Sequence, residues 1–289
     1  MELASPITIY WDLPPDAHEP SRLMGIAADI VPCRPLMVWI TCTAPTLPDG
    51  LGAVLERFRE SSISVIITIA LSTRDESVRA LAGQGLVREF LLAVDHAGQL
   101  DTGEWKGIAP VGISFAVTSR NWRELPDLMH QCPGYGITRL VLPMQRLYGD
   151  EPPFFLTSRE QQELADALAS AGGTSGLTLT IHDPFLWRAF NPGVPFPQGG
   201  CQAANTMIAI APDGGVYPCP SLPVRLGTVG EASLKEIIAS MAKKDVRQRL
   251  LEHPGACMAC GDVAECRGGC RGRAYVVHQS LEGEDPACW

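Results

Sequence analysis

Seven of the ten cysteines lie between Cys201 and Cys288, and thiols at that density bind metal, carry clusters or pair as disulfides. They are Cys201, Cys219, Cys257, Cys260, Cys266, Cys270 and Cys288, and the tightest run reads C-M-A-C-G-D-V-A-E-C-R-G-G-C. Disulfides are disfavoured, because M-E-L-A-S-P-I-T-I-Y has neither the basic start nor the apolar core of a secretory signal. Structural zinc takes two paired knuckles. Here a single C-x2-C is followed by spacers of five and three residues. Four-thiolate iron–sulfur clusters tolerate such uneven spacing, since their ligands wrap a cube and not a point. Spacing alone therefore favours clusters and keeps zinc as the alternative.

The full pattern is C-x12-G-x4-C from Cys201 through Gly214 to Cys219, then C-x2-C-x5-C-x3-C from Cys257 to Cys270, then Cys288. It resembles the SPASM domain, the auxiliary-cluster extension of radical SAM enzymes that modify peptides and proteins. The resemblance implies two [4Fe–4S] clusters. It assigns Cys257, Cys260, Cys266 and Cys288 to an outer cluster, and Cys201, Cys219 and Cys270 to an inner one. Relatives often add a fourth inner cysteine just before the first. The corresponding N-P-G-V-P-F-P-Q-G-G has none, so the inner cluster is expected to have an open iron, to take an unrecognised ligand, or to be missing.

The local sequence explains some of these spacers. T-M-I-A-I-A-P-D-G-G-V-Y-P is two apolar runs around Asp213-Gly214, a hairpin signal that folds Cys219 back towards Cys201. Pro218 and Pro220 flank Cys219 and restrict the backbone there. Gly268 and Gly269 lie between two cysteines, where a missing Cβ would let the backbone approach a bulky cluster.

The rest of the chain must position these groups. A charge of -9 and a pI near 5.2 argue against nucleic acid or an anionic membrane as partner. No apolar run reaches the roughly 18 residues of a membrane-spanning helix. With ten cysteines and no recognisable signal, a reducing cytoplasm is the expected location. Apolar runs at 7–13, 36–41, 65–70, 87–94, 111–117, 137–142 and 177–181 read as strands. Amphipathic stretches at 21–31, 49–60, 74–82, 121–131 and 158–171 read as helices between them. Thr73-x-x-Glu76 and Thr157-x-x-Glu160 are capping boxes. Near-continuously apolar strands alternating with helices predict an α/β fold with a parallel sheet or partial barrel over residues 1–190. The Pro- and Gly-rich F-N-P-G-V-P-F-P-Q-G-G then leads into a cysteine-rich domain over 191–289. Ser233–Leu251 is expected to form one helix, capped by Ser233-x-x-Glu236 and packing Leu234, Ile237, Ile238 and Met241 against the cluster domain.

An α/β half before a SPASM domain is expected to be a radical SAM-like partial (β/α)6 barrel. That family holds its catalytic cluster, which chelates S-adenosylmethionine, with C-x3-C-x2-C just after the first strand. Here I-T-I-Y-W-D-L resembles the family's strand, but P-P-D-A-H-E-P-S-R-L follows it without a cysteine. His18 within it reads as a solvated loop residue. Ile40 to Pro45 stands where the family's G-G-E-P turn binds the SAM amino group, and only Pro45 matches. L-A-V-D-H-A-G resembles the S-x-D-G strand end, with Asp95 retained. Binding of SAM is therefore not expected. Cys33, Cys42 and Cys132 read as small buried hydrophobes, and His182 and Asp183 as structural residues at the end of the last strand.

The chain thus resembles a radical SAM/SPASM protein with a degenerate barrel, of the type that accompanies a true radical SAM enzyme in GeoRSP-type peptide systems. The resemblance implies an accessory protein in the maturation of a ribosomally made peptide. It would bind the precursor peptide or the partner enzyme and carry electrons through its clusters, with no catalytic residue of its own. Two other readings remain: an enzyme using an open iron as Lewis acid, and a structural cluster or zinc module that binds peptides.

Overall fold

A computed structural model describes residues 3–14, 19–73, 76–100, 111–149, 152–172, 176–197 and 199–288. It divides into two compact units, each assembled from separated stretches of chain. The first comprises residues 1–92, 107–111 and 202–248, and the second 93–106, 112–201 and 249–289. The boundary at 190 divides the chain by motif, whereas these units divide it by packing.

The first unit opens with β1 (Thr8–Asp12), α1 (Pro20–Ile30), β2 (Met37–Cys42), α2 (Leu51–Glu60), β3 (Ser64–Ala70), α3 (Glu76–Gly83) and β4 (Glu89–Val94). The second continues with β5 (Val111–Phe115), α4 (Leu125–Gln131), β6 (Arg139–Leu142), α5 (Ser158–Ser170), β7 (Thr178–Ile181) and α6 (Pro184–Phe190). Every strand and helix expected between 7 and 181 is present, with ends within two residues of those read from the sequence, except that the helix expected from 121 starts as a 3-10 turn over Trp122–Glu124 and becomes α4 at Leu125. In the first unit the strand order is β10-β9-β8-β1-β2-β3-β4, and in the second β5-β6-β7, where β8 to β10 come from the cysteine-rich region.

Pairing of β1 with β2 and of β2 with β3 is parallel. The register aligns Tyr10, Trp39 and Ile66 in one row and Asp12, Thr41 and Thr68 in the row beyond. The rings of Tyr10 and Trp39 stack at 5.7 Å, and Trp39 Nε1 donates to Thr68 Oγ1 at 2.9 Å. Trp11, which alternates with these residues, meets Phe58 of α2 edge-on at 6.5 Å. Ile9, Trp11, Val38, Ile40, Ile66 and Ile67 are all buried. Strands covered on both faces explain the unbroken apolar runs.

The hairpin forms where Asp213-Gly214 places it. β8 (Met207–Ile210) and β9 (Gly215–Tyr217) pair antiparallel, Gly214 takes a φ of +88, and Asp213 Oδ1 accepts from the Gly215 N–H at 2.8 Å. β8 also pairs in parallel with β1, Thr8 opposite Met207, and β10 (Gly227–Thr228) adds to β9. The hairpin is therefore an extension of the first unit's sheet.

The expected helix over Ser233–Leu251 is two helices, α7 (Leu234–Ala239) and α8 (Met241–Leu251). Ser240 between them is extended, with a ψ of 158, and its Oγ accepts from the Lys243 N–H at 3.2 Å. A serine side chain that caps a new helix competes with continuation of the old one. Leu234, Ile237 and Ile238 are buried and α7 packs against α1, while Met241 is 67% exposed. The stripe therefore serves the core of the first unit. The box at Ser233 and Glu236 is present, as is that at Thr157 and Glu160. Thr73 donates its hydroxyl to the Ala44 carbonyl at 2.8 Å, and residues 74–75 of the third box lie outside the described residues. The chain ends in two short helices that the sequence reading did not anticipate, α9 (Val263–Cys266) and α10 (Arg271–His278).

Candidate metal centre

The segment that carries Cys257, Cys260, Cys266 and Cys270 is a series of tight turns. A 3-10 turn over Gly255–Cys257 is followed by a Cys260 N–H to Cys257 carbonyl bond of 3.0 Å, and α9 then delivers Cys266. Arg267, Gly268 and Gly269 take φ values of 51, 86 and 61, three successive left-handed residues that reverse the chain before Cys270. Left-handed geometry at this density needs glycine. A Cβ on Gly268 would lie 2.5 Å from Pro254, and one on Gly269 would lie 2.6 Å from Asp285 Oδ2 and 2.8 Å from Phe185. The close approach these glycines permit is thus to protein atoms. Gly200, with a φ of 62, sits similarly against Arg267, which fixes the backbone just before Cys201.

All ten cysteines are free thiols. The Cys257 thiol is pushed up by burial and then by Cys266, Cys288 and Cys260, so the other three proposed outer ligands lie within electrostatic reach of it. Cys260 is exposed, Cys266 and Cys288 are half-buried, and Cys257 is buried. Among the described residues, no three His, Cys, Asp or Glu side chains close on a single ion-sized point. Four soft thiols match in type and number the donors of a [4Fe–4S] cluster.

Of the proposed inner ligands, Cys201 and Cys270 belong to the second unit and Cys219 to the first. Cys219 is buried just beyond β9, where Pro218 accepts from the Ala204 N–H at 2.8 Å. The hairpin so returns residue 218 to the segment that follows Cys201. Burial pushes the Cys270 thiol up to about 12, although the nearby Arg273 guanidinium opposes this.

Two buried arginines complete the second unit's site. Arg271 donates through Nη1 to the Glu252 carbonyl at 2.9 Å and through Nη2 to the Leu281 carbonyl. Burial lowers its affinity for a proton, while Cys201, Glu282 and Cys257 raise it, which places the guanidinium near one thiol of each proposed set. Its buried Nε has no hydrogen-bond partner among the described residues. Arg273 grips Asp285 with two bonds, Nε to Oδ1 at 2.6 Å and Nη2 to Oδ2 at 2.8 Å, and also pairs with Asp183. Burial alone would push Arg273 down, but the two carboxylates hold it above its usual range.

Asp183 is also the N-cap of α6, accepting from the Phe185 and Leu186 N–H groups at 2.9 and 3.0 Å. Asp183-Pro184, a capping residue followed by proline, was the sequence signal for this unanticipated helix. No comparable signal marks Arg271, Arg273 or Asp285, since in sequence a buried charge looks like a solvated one. His182 is half-buried and depressed to about 4 by desolvation and then by Arg146 and Arg139, so it is neutral near pH 7. Cys33, Cys42 and Cys132 are buried, and burial raises each thiol, as packing residues require. Asp95 is exposed, its backbone tied to Gln99 and Asn121. His18 lies outside the described residues.

Residues 201–261 match the SPASM family, described as an iron–sulfur cluster-binding domain. The chain is 31% identical over 198 residues to mycofactocin maturase MftC of Mycobacterium tuberculosis (strain CDC 1551 / Oshkosh), covering 63% of this chain and 48% of the maturase. It is 24% identical over 186 residues to PqqA peptide cyclase of Granulibacter bethesdensis, covering 62% and 49%. The chain thus spans about half the length of these curated relatives. Streptococcus suis SuiB bound to S-adenosylmethionine is similar in fold, with a TM-score of 0.71 at 17% identity over 99% of this chain and 78% of that one. So is anSMEcpe with bound AdoMet, at a TM-score of 0.62 and 14% identity over 98% and 91%. Residues 201–261 thus match an iron–sulfur cluster-binding domain, and the parallel α/β fold is similar to those of SuiB and anSMEcpe.

Proposed function

We propose that this protein is an iron–sulfur accessory protein in the maturation of a ribosomally made peptide. The observation that carries the reading is a contrast within one chain. Seven cysteines keep the SPASM spacing, and four of them gather in the second unit, yet the first strand is followed by no cysteine and the sequence holds no C-x3-C-x2-C. The auxiliary apparatus is retained without the thiolates that would present SAM to a catalytic cluster. Relatives named as a maturase and a peptide cyclase support a peptide as the object of the system.

In this reading Cys257, Cys260, Cys266 and Cys288 hold one [4Fe–4S] cluster, and Cys201, Cys219 and Cys270 supply three ligands to a second. Bound clusters would supply one-electron transfer. The chain's own residues set the conditions for it. Exposed Cys260 places the outer set at the surface, where a partner enzyme can approach. Buried Arg271 offsets thiolate charge between the sets, and half-buried Cys270 limits water at the inner one. Precursor peptide and a true radical SAM enzyme are the proposed partners, in the cytoplasm.

Anaerobic reconstitution with iron and sulfide tests this reading. It is expected to load about seven to eight irons per chain with the absorbance of [4Fe–4S] centres. Binding of one or two zinc ions with no iron would replace it by the structural-zinc alternative.

A further inference from the structure

One residue, Asp285, touches the backbone of a cysteine from each proposed ligand set, through its carboxylate on one side and its carbonyl on the other. Asp285 Oδ2 accepts from the Cys270 N–H at 2.6 Å, and the Asp285 carbonyl accepts from the Cys288 N–H at 2.8 Å. Its Oδ1 accepts from the Ala287 N–H at 3.1 Å, which folds the residues leading to Cys288 around the same side chain. Arg273 holds both carboxylate oxygens, and Asp183 holds Arg273 from α6. The Arg273 and Asp285 side chains are 2% and 0% exposed.

A triad of two carboxylates and one guanidinium, with Arg273 and Asp285 buried and Asp183 half-buried, is a poor device for stability alone. Each buried ion costs several kcal/mol of lost hydration, and apolar side chains of similar size often serve as well or better. Such networks do fix geometry, because every lone pair is committed to a directed, charge-assisted bond. Here the directed bonds end on the backbone of Cys270 and on that of Ala287, the residue before Cys288. Gly269 is pressed against the same carboxylate, so the Cys266–Cys270 loop cannot shift without disturbing it.

We propose that Asp285 is a positioning residue that couples the two cysteine sets, so that the two clusters load and titrate as an interdependent pair. Asp285 sets the backbone of Cys270 on one side and Cys288 on the other. Arg273 fixes the carboxylate's orientation, and Asp183 anchors Arg273 to α6. The proposal rests on the two-set ligand reading above.

The test compares the full-length chain with Cys270→Ala, Asp285→Asn and Asp183→Asn after anaerobic reconstitution. Iron content, the rate of stripping by a ferrous chelator, and EPR-monitored reduction potentials are measured. Asp285→Asn keeps the size of the side chain but removes its charge and turns one acceptor into a donor. Loss of such an outer partner typically weakens metal binding about 10–100-fold. Asp285→Asn is therefore expected to strip at least about tenfold faster at both clusters, with the retained cluster reduced at a less negative potential. Asp183→Asn, which leaves both cysteine contacts of Asp285 in place, is expected to show a smaller loss.

Cys270→Ala is expected to leave an outer cluster that strips faster than in the wild type. A Cys270→Ala protein with four irons and wild-type stripping would overturn the coupling. So would Asp285→Asn and Asp183→Asn effects of equal size, which would make the triad a plain structural ion pair. If Asp285→Asn does not fold, as judged by circular dichroism of the apo chain, Cys270→Ala and Asp183→Asn still decide. A wild type that binds no iron would instead remove the cluster reading itself.

Discussion

At the scale of single residues, His182 offers a measurement independent of any metal. Its imidazole is held near a pKa of about 4, against an ordinary 6.5, because burial and then Arg146 and Arg139 disfavour the cation. Between those values the unfolded chain binds a proton that the folded chain refuses. Stability is therefore complete above about pH 6.5 and falls as pH drops towards 4. The full depression corresponds to about 3 kcal/mol. Replacing His182 by Gln is expected to flatten this part of the stability curve. Urea titrations of the apo chain at pH 7 and pH 5 check it, and an unchanged slope would mean that His182 is solvated. Burial, invisible in the sequence, decides this behaviour.

At the scale of elements, the reversal between Cys266 and Cys270 makes the sharpest prediction. Gly268 has a φ of +86, and an added Cβ would lie 2.5 Å from Pro254. Both the conformation and the ring oppose a side chain there. Gly268→Ala is expected to cost roughly 1–3 kcal/mol and to lower iron loading of the outer set. Gly134 has open space around its Cβ position, so Gly134→Ala should leave loading unchanged. Equal iron content in the two variants would show that the turn does not position Cys266. The α5 cap gives a second value at this scale. Thr157→Ala removes the acceptor for the Glu160 N–H, and is expected to cost about 1 kcal/mol in thermal unfolding without changing iron content.

At the scale of the whole molecule, the fold is similar to that of SuiB, solved with S-adenosylmethionine bound, while the sequence holds no C-x3-C-x2-C after its first strand. Electron transfer into the sulfonium of SAM needs a cluster that chelates it. The stretch P-P-D-A-H-E-P-S-R-L offers that cluster no thiolate. The purified protein with a strong reductant is therefore expected to form no 5′-deoxyadenosine. Product above a no-protein control, measured by liquid chromatography, would assign cleavage to one of the SPASM clusters. No described helix is long and apolar enough to cross a membrane.

The amino-acid sequence alone determined the strand–helix alternation between residues 7 and 181, because apolar runs and amphipathic periods are local properties. It also determined the hairpin at Asp213-Gly214, whose turn chemistry is carried by two residues, and the cysteine spacing that matches SPASM. Tertiary structure decided the rest, for one physical reason: those features depend on partners distant in the chain. β8 lies beside β1 through pairing across nearly 200 residues, and no short window encodes that register. Asp183 and Arg273 meet across 90 positions. Arg271, Arg273 and Asp285 read as ordinary surface charges until burial makes their pairing obligatory. The helix expected over Ser233–Leu251 broke because Ser240 can cap as readily as it can continue a turn, and the core of the first unit needed only Leu234, Ile237 and Ile238.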